Sequence, residues 1–520
     1  MTGAVLLLID PRDRAALDVE GLALDGFGPV ITRVVDYDRL ESEADSLVAE
    51  ARAQGVALTL YSRNDQVFGR RQIGPLIRRL RTGYSSFSGI DTAAAHAQAR
   101  RALEDLRCLP RGARLELPPP AAPAQAATPI SQPGGTFSLI FDTEQMGGAR
   151  FGLPRILALL DRYQVPATFF VTGFIHQVYP DLLEALAARG HEIGIHGPYH
   201  EWLADLPSDE QTRRLRDHLA AFRACYPVVG ANFIFRMDAD TLRALAGEGI
   251  RYCVAFAQHH YRPFAYRRPS TRPLPVHTGN GALWLIPIPV ETYSRPWFGT
   301  RLLIDSALRR STEEGAPHVC ILMHPFRDGS MRHVPQLEAM LRYLTGRHHL
   351  MPVTLGEWVS APPPAQPDAL VLTAIARIDA SYPESKRAGV WTRSELYFER
   401  LAALYRALGC LGHRPALAVD VTAGDAVRQV AVFPEAPSGA TAVAFDPLAA
   451  ADSKGSAWET LLAILEQAAP GQTLAFGPPP DRLNQRAGVL RPRCAQDVTG
   501  LVPELIIRLA YRMRPGRLVF

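Results

Sequence analysis

Short hydrophobic runs recur along this chain, and between them lie longer stretches with apolar positions three and four apart. The alternation is most regular from residue 136. "FSLIFDTE" predicts a buried strand that stops on acids, "GLPRILALLDRYQV" an amphipathic helix and "ATFFVTG" a second strand. "YPDLLEALAARG" predicts a second helix closed by its glycine, and "HEIGIH" a third strand. A long helix over "SDEQTRRLRDHLAAFRACY" follows, then "ANFIFRMD", and later "PHVCILMHP", a buried strand that runs into histidine and proline. Short strands alternating with helices point to a parallel barrel or a parallel sheet.

Two stretches without apolar periodicity, "LPPPAAPAQAATPISQPGG" (117–135) and "APPPAQPD" (361–368), read as Pro-rich spacers. They separate an N-terminal α/β domain (1–116), a middle domain (136–360) and a C-terminal α/β domain (369–520). In the first, "AVLLLID" and "VALTLYSR" predict strands, while "LESEADSLVAEARAQG" and "AAAHAQARRALEDLR" predict helices. "RTGYSSFSGID" (81–91) is polar and aromatic and reads as an ordinary loop, with a recognition surface as the other reading. In the third, Thr392 and Glu395 form a capping box for a helix that Gly409 closes. "ALAVDV", "QVAVF", "ATAVAFD" and "QTLAFG" predict short strands there, and no motif attaches that domain to a chemistry.

Composition narrows the function classes. A chain of 520 residues holds about three domains at roughly 150 residues each. Apolar residues make up 47% and charged residues 21%, ample for packed cores. Net charge is only +4 and the arginines are scattered, which fits solvated helix faces and argues against a nucleic-acid partner. The start "MTGAVLLLIDPRDR" lacks a basic region and a long apolar run, so it predicts a first strand instead of a signal segment. No apolar run approaches the roughly 18 residues of a transmembrane helix. Six cysteines without a CxxC pattern fit reduced thiols, and a cytoplasmic location is expected.

Asp142, Glu144, His196, His200, Arg236 and His324 all fall at the C-terminal ends of predicted strands or just beyond. Barrel active sites assemble there, because each strand delivers its last side chains to one rim. Residues 136–360 resemble the polysaccharide deacetylase domain (NodB homology, carbohydrate esterase family 4). The resemblance rests on "FDTE", "VPATFFVTG", "GHEIGIHGPYH", "FR" and "ILMHP", in the family's order and near its spacing. It implies an α/β fold whose centre is a distorted (β/α) barrel, here flanked by two smaller α/β domains.

The resemblance also implies roles. Glu144, His196 and His200 match the metal ligands, most simply for zinc, with positions left open for water and substrate. His196 and His200, four apart, are expected on one helical turn, and Asp142 and Glu144 on one face of a strand. Asp142 matches the base, His324 the acid that protonates the leaving amine, and Arg236 the partner that keeps the base ionised. Tyr199 is expected to lend a backbone N–H to the oxyanion. His191, His259 and His260 are bystanders.

Three departures from the family pattern stand out. Glu144 replaces the usual aspartate, and Asp238 stands where a proline usually follows the arginine. The region of the family's fourth motif, "IRYCVAFAQHHY", supplies Cys253 and no acid, so Glu291 in "PIPVETY" is a candidate to compensate or to contact substrate. The implied activity is metal-dependent removal of an acetyl or formyl group from an amino-sugar-containing substrate, in glycan or surface-polymer biosynthesis. Two other readings stay open: a metal-independent carbon–nitrogen hydrolase of the ureide-opening kind, and a non-catalytic carbohydrate-sensing module.

Overall fold

The computed structural model describes residues 3–360 apart from 38, 63–72, 110, 120–133, 204–205, 234–238, 257–270, 272, 279, 293–295, 314 and 316. Beyond residue 370 it describes the backbone of six strands.

Strands β1 (Ala4–Ile9), β2 (Val30–Val34), β3 (Val56–Tyr61) and β4 (Gly83–Ser86) form a sheet in the order β2-β1-β3-β4, all pairs parallel. Every residue of β1 is buried, as a strand covered on both faces requires. Its side chains alternate between two cores. Leu6 and Leu8 meet the helices Leu40–Ala53 and Ile73–Leu80, while Val5, Leu7 and Ile9 enter the core that also fills the middle region. The apolar interior is therefore continuous from the N-terminal sheet into the second one. β4 lies within the segment expected to be a loop. Its serines carry no hydrophobic signal, yet Ser85 and Ser86 are buried in an edge strand beside β3.

The second sheet comprises β5 (Thr136–Thr143), β6 (Thr168–Val171), β7 (Glu192–Ile195), β8 (Gly230–Asn232), β9 (Tyr252–Phe256), β10 (Leu274–Thr278), β11 (Gly281–Ile288), β12 (Val290–Glu291), β13 (His318–Met323) and β14 (Met351–Pro352). Their order is β10-β11-β9-β8-β7-β6-β5-β13-β12, with β14 beside β5. The β10–β11 pair is antiparallel and the others are parallel. β11 pairs with β9, and β12, one residue further along the chain, pairs with β13. That stretch links the two ends of the order, so the sheet curls round into a distorted barrel. Parallel pairing places the C-terminal ends of β5, β6, β7, β8 and β13 on one rim.

Helices cover the outside as their patterns require. In Leu153–Tyr163 the buried residues Leu153, Ile156, Leu157 and Leu160 form one stripe, Pro154 sits in the first turn, and Gln164 closes the end with a left-handed φ of 53°. The helix Leu182–Ala187 is followed by Gly190 at φ 76°, the closing glycine expected there.

Further along, β15 (Val371–Asp379), β16 (Arg414–Ala423), β17 (Ala426–Val432), β18 (Thr441–Val443), β19 (Leu474–Phe476) and β20 (Val489–Leu490) form a mixed sheet in the order β18-β19-β17-β16-β15-β20. Each of the four short strands expected in that region overlaps one of these. The helix expected at 391–409 lies outside the described residues, as do 120–133 of the first spacer and all of the second. Among the described residues no helix is long and apolar enough to cross a membrane.

Candidate active site

The rim residues arrive by different local routes. Asp142 is the penultimate residue of β5, Glu144 follows its end, His196 follows β7 and His324 follows β13. The helical turn expected for His196 and His200 is not formed. Gly197 at φ 85° and His200 at φ 61° bend the chain instead. A left-handed histidine costs about 1–2 kcal/mol, so the surroundings must hold it. They do: Gly173 N–H donates to the Gly197 carbonyl at 3.0 Å, Phe174 N–H to Pro198 at 2.7 Å, and Tyr84 N–H to Tyr199 at 2.9 Å. This bend brings the His196 and His200 ring centroids to 4.7 Å.

Glu144 stands between the two rings. Its Oε2 is 3.0 Å from His196 Nε2 and 2.5 Å from His200 Nε2. His196 Nδ1–H donates to the Asn232 carbonyl at 2.5 Å. That bond assigns the ring's proton to Nδ1 and turns Nε2 toward the carboxylate. A neutral ring in that state would face Glu144 with one lone pair against another, which is repulsive unless a cation, proton or metal, lies between. Burial alone would push the Glu144 carboxyl up. Where the rings are protonated, the His200 charge, hydrogen bonds from both rings and the His324 charge overturn that and hold it well below the usual carboxylate range.

One oxygen and two nitrogens, all within 4.8 Å of one another and all on buried residues, form a donor set that suits a three-ligand metal site. The residues present fit such an ion. Asp142 sits beside it. Its Oδ1 accepts from Asn232 Nδ2 at 2.6 Å, while Oδ2 is 3.8 Å from His196 Nε2 and 3.9 Å from His324 Nε2. The His324 side chain is the most open of these, and its backbone N–H is fixed by Asp328 Oδ2 at 2.9 Å.

Five of the expected site residues thus converge: Asp142, Glu144, His196, His200 and His324. Arg236 and Asp238 lie outside the described residues, as do His259 and His260. Glu291 is buried on β12, next to β13. Tyr199 is buried in the turn between His196 and His200. Its N–H already donates to Glu201 Oε2 at 2.7 Å, and its ring packs edge-on against Phe27 at 5.6 Å. His191 precedes β7, at the opposite end from the rim, and accepts from Ala167 N–H. Cys253 is buried within β9.

Asn232 is the residue the sequence reading missed. It is the last residue of β8, fully buried, and it holds the base through its side chain and a ligand through its carbonyl. It ends a strand as the other rim residues do, four positions before Arg236.

Residues 130–236 match the family model described as polysaccharide deacetylase, a span that includes Asp142, Glu144, His196 and His200 and ends before His324. A chitooligosaccharide deacetylase of Rhizobium leguminosarum bv. trifolii is 33% identical over 100 residues, 19% of this chain and 46% of that protein. A peptidoglycan deacetylase of Helicobacter pylori is 38% identical over 50 residues, 10% of this chain and 17% of that protein. The chain spans less than half the length of either relative. A solved structure described as a polysaccharide deacetylase of Mycobacterium smegmatis superposes with a TM-score of 0.37 at 20% identity, covering 48% of this chain and 99% of that one. Residues 130–236 of this chain carry a polysaccharide deacetylase domain of the NodB-homology type.

Proposed function

We propose that this chain is a metal-dependent hydrolase that removes an acetyl or formyl group from the nitrogen of an amino-sugar-containing substrate, in glycan or surface-polymer biosynthesis. The observation that carries this reading is the Glu144, His196 and His200 donor set with a second carboxylate, Asp142, beside it. The names of the relatives, which act on chitooligosaccharide and peptidoglycan, support the amino-sugar side.

A divalent ion held by Glu144, His196 and His200, zinc being the simplest match to this oxygen and nitrogen set, would polarise the amide carbonyl and make a water more acidic. The protein's own groups do the rest. Asn232 anchors one Asp142 oxygen, and the other, 3.8 Å from His196 Nε2, is the one placed to take the proton of the attacking water. His324, with Nε2 3.9 Å from Asp142, stands where it can give a proton to the leaving nitrogen as the carbon–nitrogen bond breaks. Acid and free amine then depart.

Metal analysis by mass spectrometry of the purified chain, followed by acid release from N-acetyl and N-formyl amino sugars, tests this. The expected result is about one divalent ion per wild-type chain, none in a His196→Ala/His200→Ala control, and acid from the wild type alone. A wild type that takes up no metal after zinc is added back would sink the proposal. Opening of a cyclic ureide to its ring-opened acid by that metal-free chain would establish the other hydrolase reading.

A further inference from the structure

β4 belongs to the N-terminal sheet, but its three successive residues Tyr84, Ser85 and Ser86 all reach the ligand-bearing elements of the second sheet. The Tyr84 ring lies 4.4 Å, centroid to centroid, from the His200 ring at a 56° tilt. Its N–H donates to the Tyr199 carbonyl at 2.9 Å, so the outer edge of β4 is paired with the turn that carries His200. The Ser85 hydroxyl donates to the Glu144 carbonyl at 2.8 Å. Ser86 N–H donates to the Gln145 side-chain oxygen, and Gln145 Nε2 in turn donates to Glu144 Oε1 at 3.3 Å. The chain pieces approach closely enough to exclude side chains. A Cβ on Gly83 would come within 2.5 Å of both Cβ and O of Tyr199, and one on Gly147 would overlap the Ser88 carbonyl.

We infer that the N-terminal unit is a working part of the metal site: β4 holds Glu144 and His200 where they bind, so Tyr84 and Ser85 set metal affinity although neither is a ligand. The left-handed backbone of His200 makes this bracing necessary, since a strained turn persists only where its surroundings over-determine it. Partners that orient ligands typically change metal affinity by 10–100-fold when removed. Tyr84 and Ser85 are positioning residues, one acting through a ring face and the other through the backbone of the Glu144 turn. The inference rests on the reading of Glu144, His196 and His200 as a metal site.

The test is cobalt(II) titration of the full chain, read by visible absorption, with zinc competition for the wild type and for Tyr84→Ala, Tyr84→Phe and Ser85→Ala. Tyr84→Ala should bind about tenfold more weakly or worse, with an altered absorption band. Tyr84→Phe, which keeps the ring, should bind as the wild type does. Ser85→Ala removes a single oxygen and carries the test if Tyr84→Ala loses its fold by circular dichroism; it too should bind about tenfold more weakly. Folded variants that match the wild type in affinity and spectrum overturn the inference while leaving the metal site intact. A wild type that takes up no cobalt overturns the metal reading and this inference with it.

Discussion

Two groups of buried histidines divide the middle region. His196 and His200 on the rim are no more exposed than His191, His218 and His318 away from it; all five are buried. The difference lies in what surrounds them. His218 packs edge-on against Phe222 at 4.5 Å, His191 faces Phe169 at 5.1 Å, and His318 stacks on Trp358 at 3.6 Å. Burial pushes His191 down to about 4, with Arg189 adding to it, and His318 to about 3. Burial also pushes His218 down to about 3, with smaller contributions from His176 and His196. These rings stay neutral and inert at pH 7. The rim rings meet Glu144 at hydrogen-bonding distance, and Asp142 lies just beyond. Burial alone makes a histidine a packing residue; burial beside a carboxylate gives it a cation to share.

The sharpest way to break that contrast is to alter the rim without altering its charge pattern elsewhere. Asp142→Asn should lower kcat by two to four orders of magnitude while metal content and thermal midpoint stay near those of the wild type. A loss below tenfold would remove Asp142 from the base role.

A smaller effect is expected from Asn232→Ala, which frees one Asp142 oxygen and removes no ligand. The carbonyl that holds His196 belongs to the backbone and survives the change. Activity should fall about tenfold with metal affinity nearly unchanged. An equal loss of metal affinity would mean that Asn232 acts through the backbone of β8.

The histidines away from the rim act on stability and leave the chemistry untouched. Folded, they remain neutral down to about pH 4 for His191 and about pH 3 for His218 and His318. Unfolded, each binds a proton near 6.5. The unfolded chain therefore holds more protons below that pH, and stability falls as pH drops from about 6.5 toward 4, by up to about 1.4 kcal/mol per pH unit for each ring. Urea midpoints at pH 7, 5.5 and 4.5 should show a shallower acid decline in His218→Phe than in the wild type. Equal slopes would mean that His218 is protonated in the folded chain.

Much of this was readable in the chain. β6, β7 and β13 are uniformly buried runs and β5 is buried in all but its first residue, and parallel strands covered on both faces are written in that pattern. Polar residues at or just past their C-terminal ends mark the rim, which is why Asp142, Glu144, His196 and His324 could be placed together. β4 could not be read. "GYSS" has neither alternation nor bulk, and its strand form rests on pairing with β3 and on partners more than fifty residues away. The partner of the Tyr199 N–H was equally hidden: the Glu201 carboxylate two residues on accepts it, a contact that spacing does not reveal.

Periodicity is a local property, so the residues alone specify where strands end and which side chains they deliver to the rim. The left-handed bend that joins His196 to His200, the dual grip of Asn232 and the closure of β4 over Glu144 were settled by packing between distant parts of the chain. Such contacts depend on which surfaces meet once the core has formed, and a one-dimensional pattern does not encode that meeting.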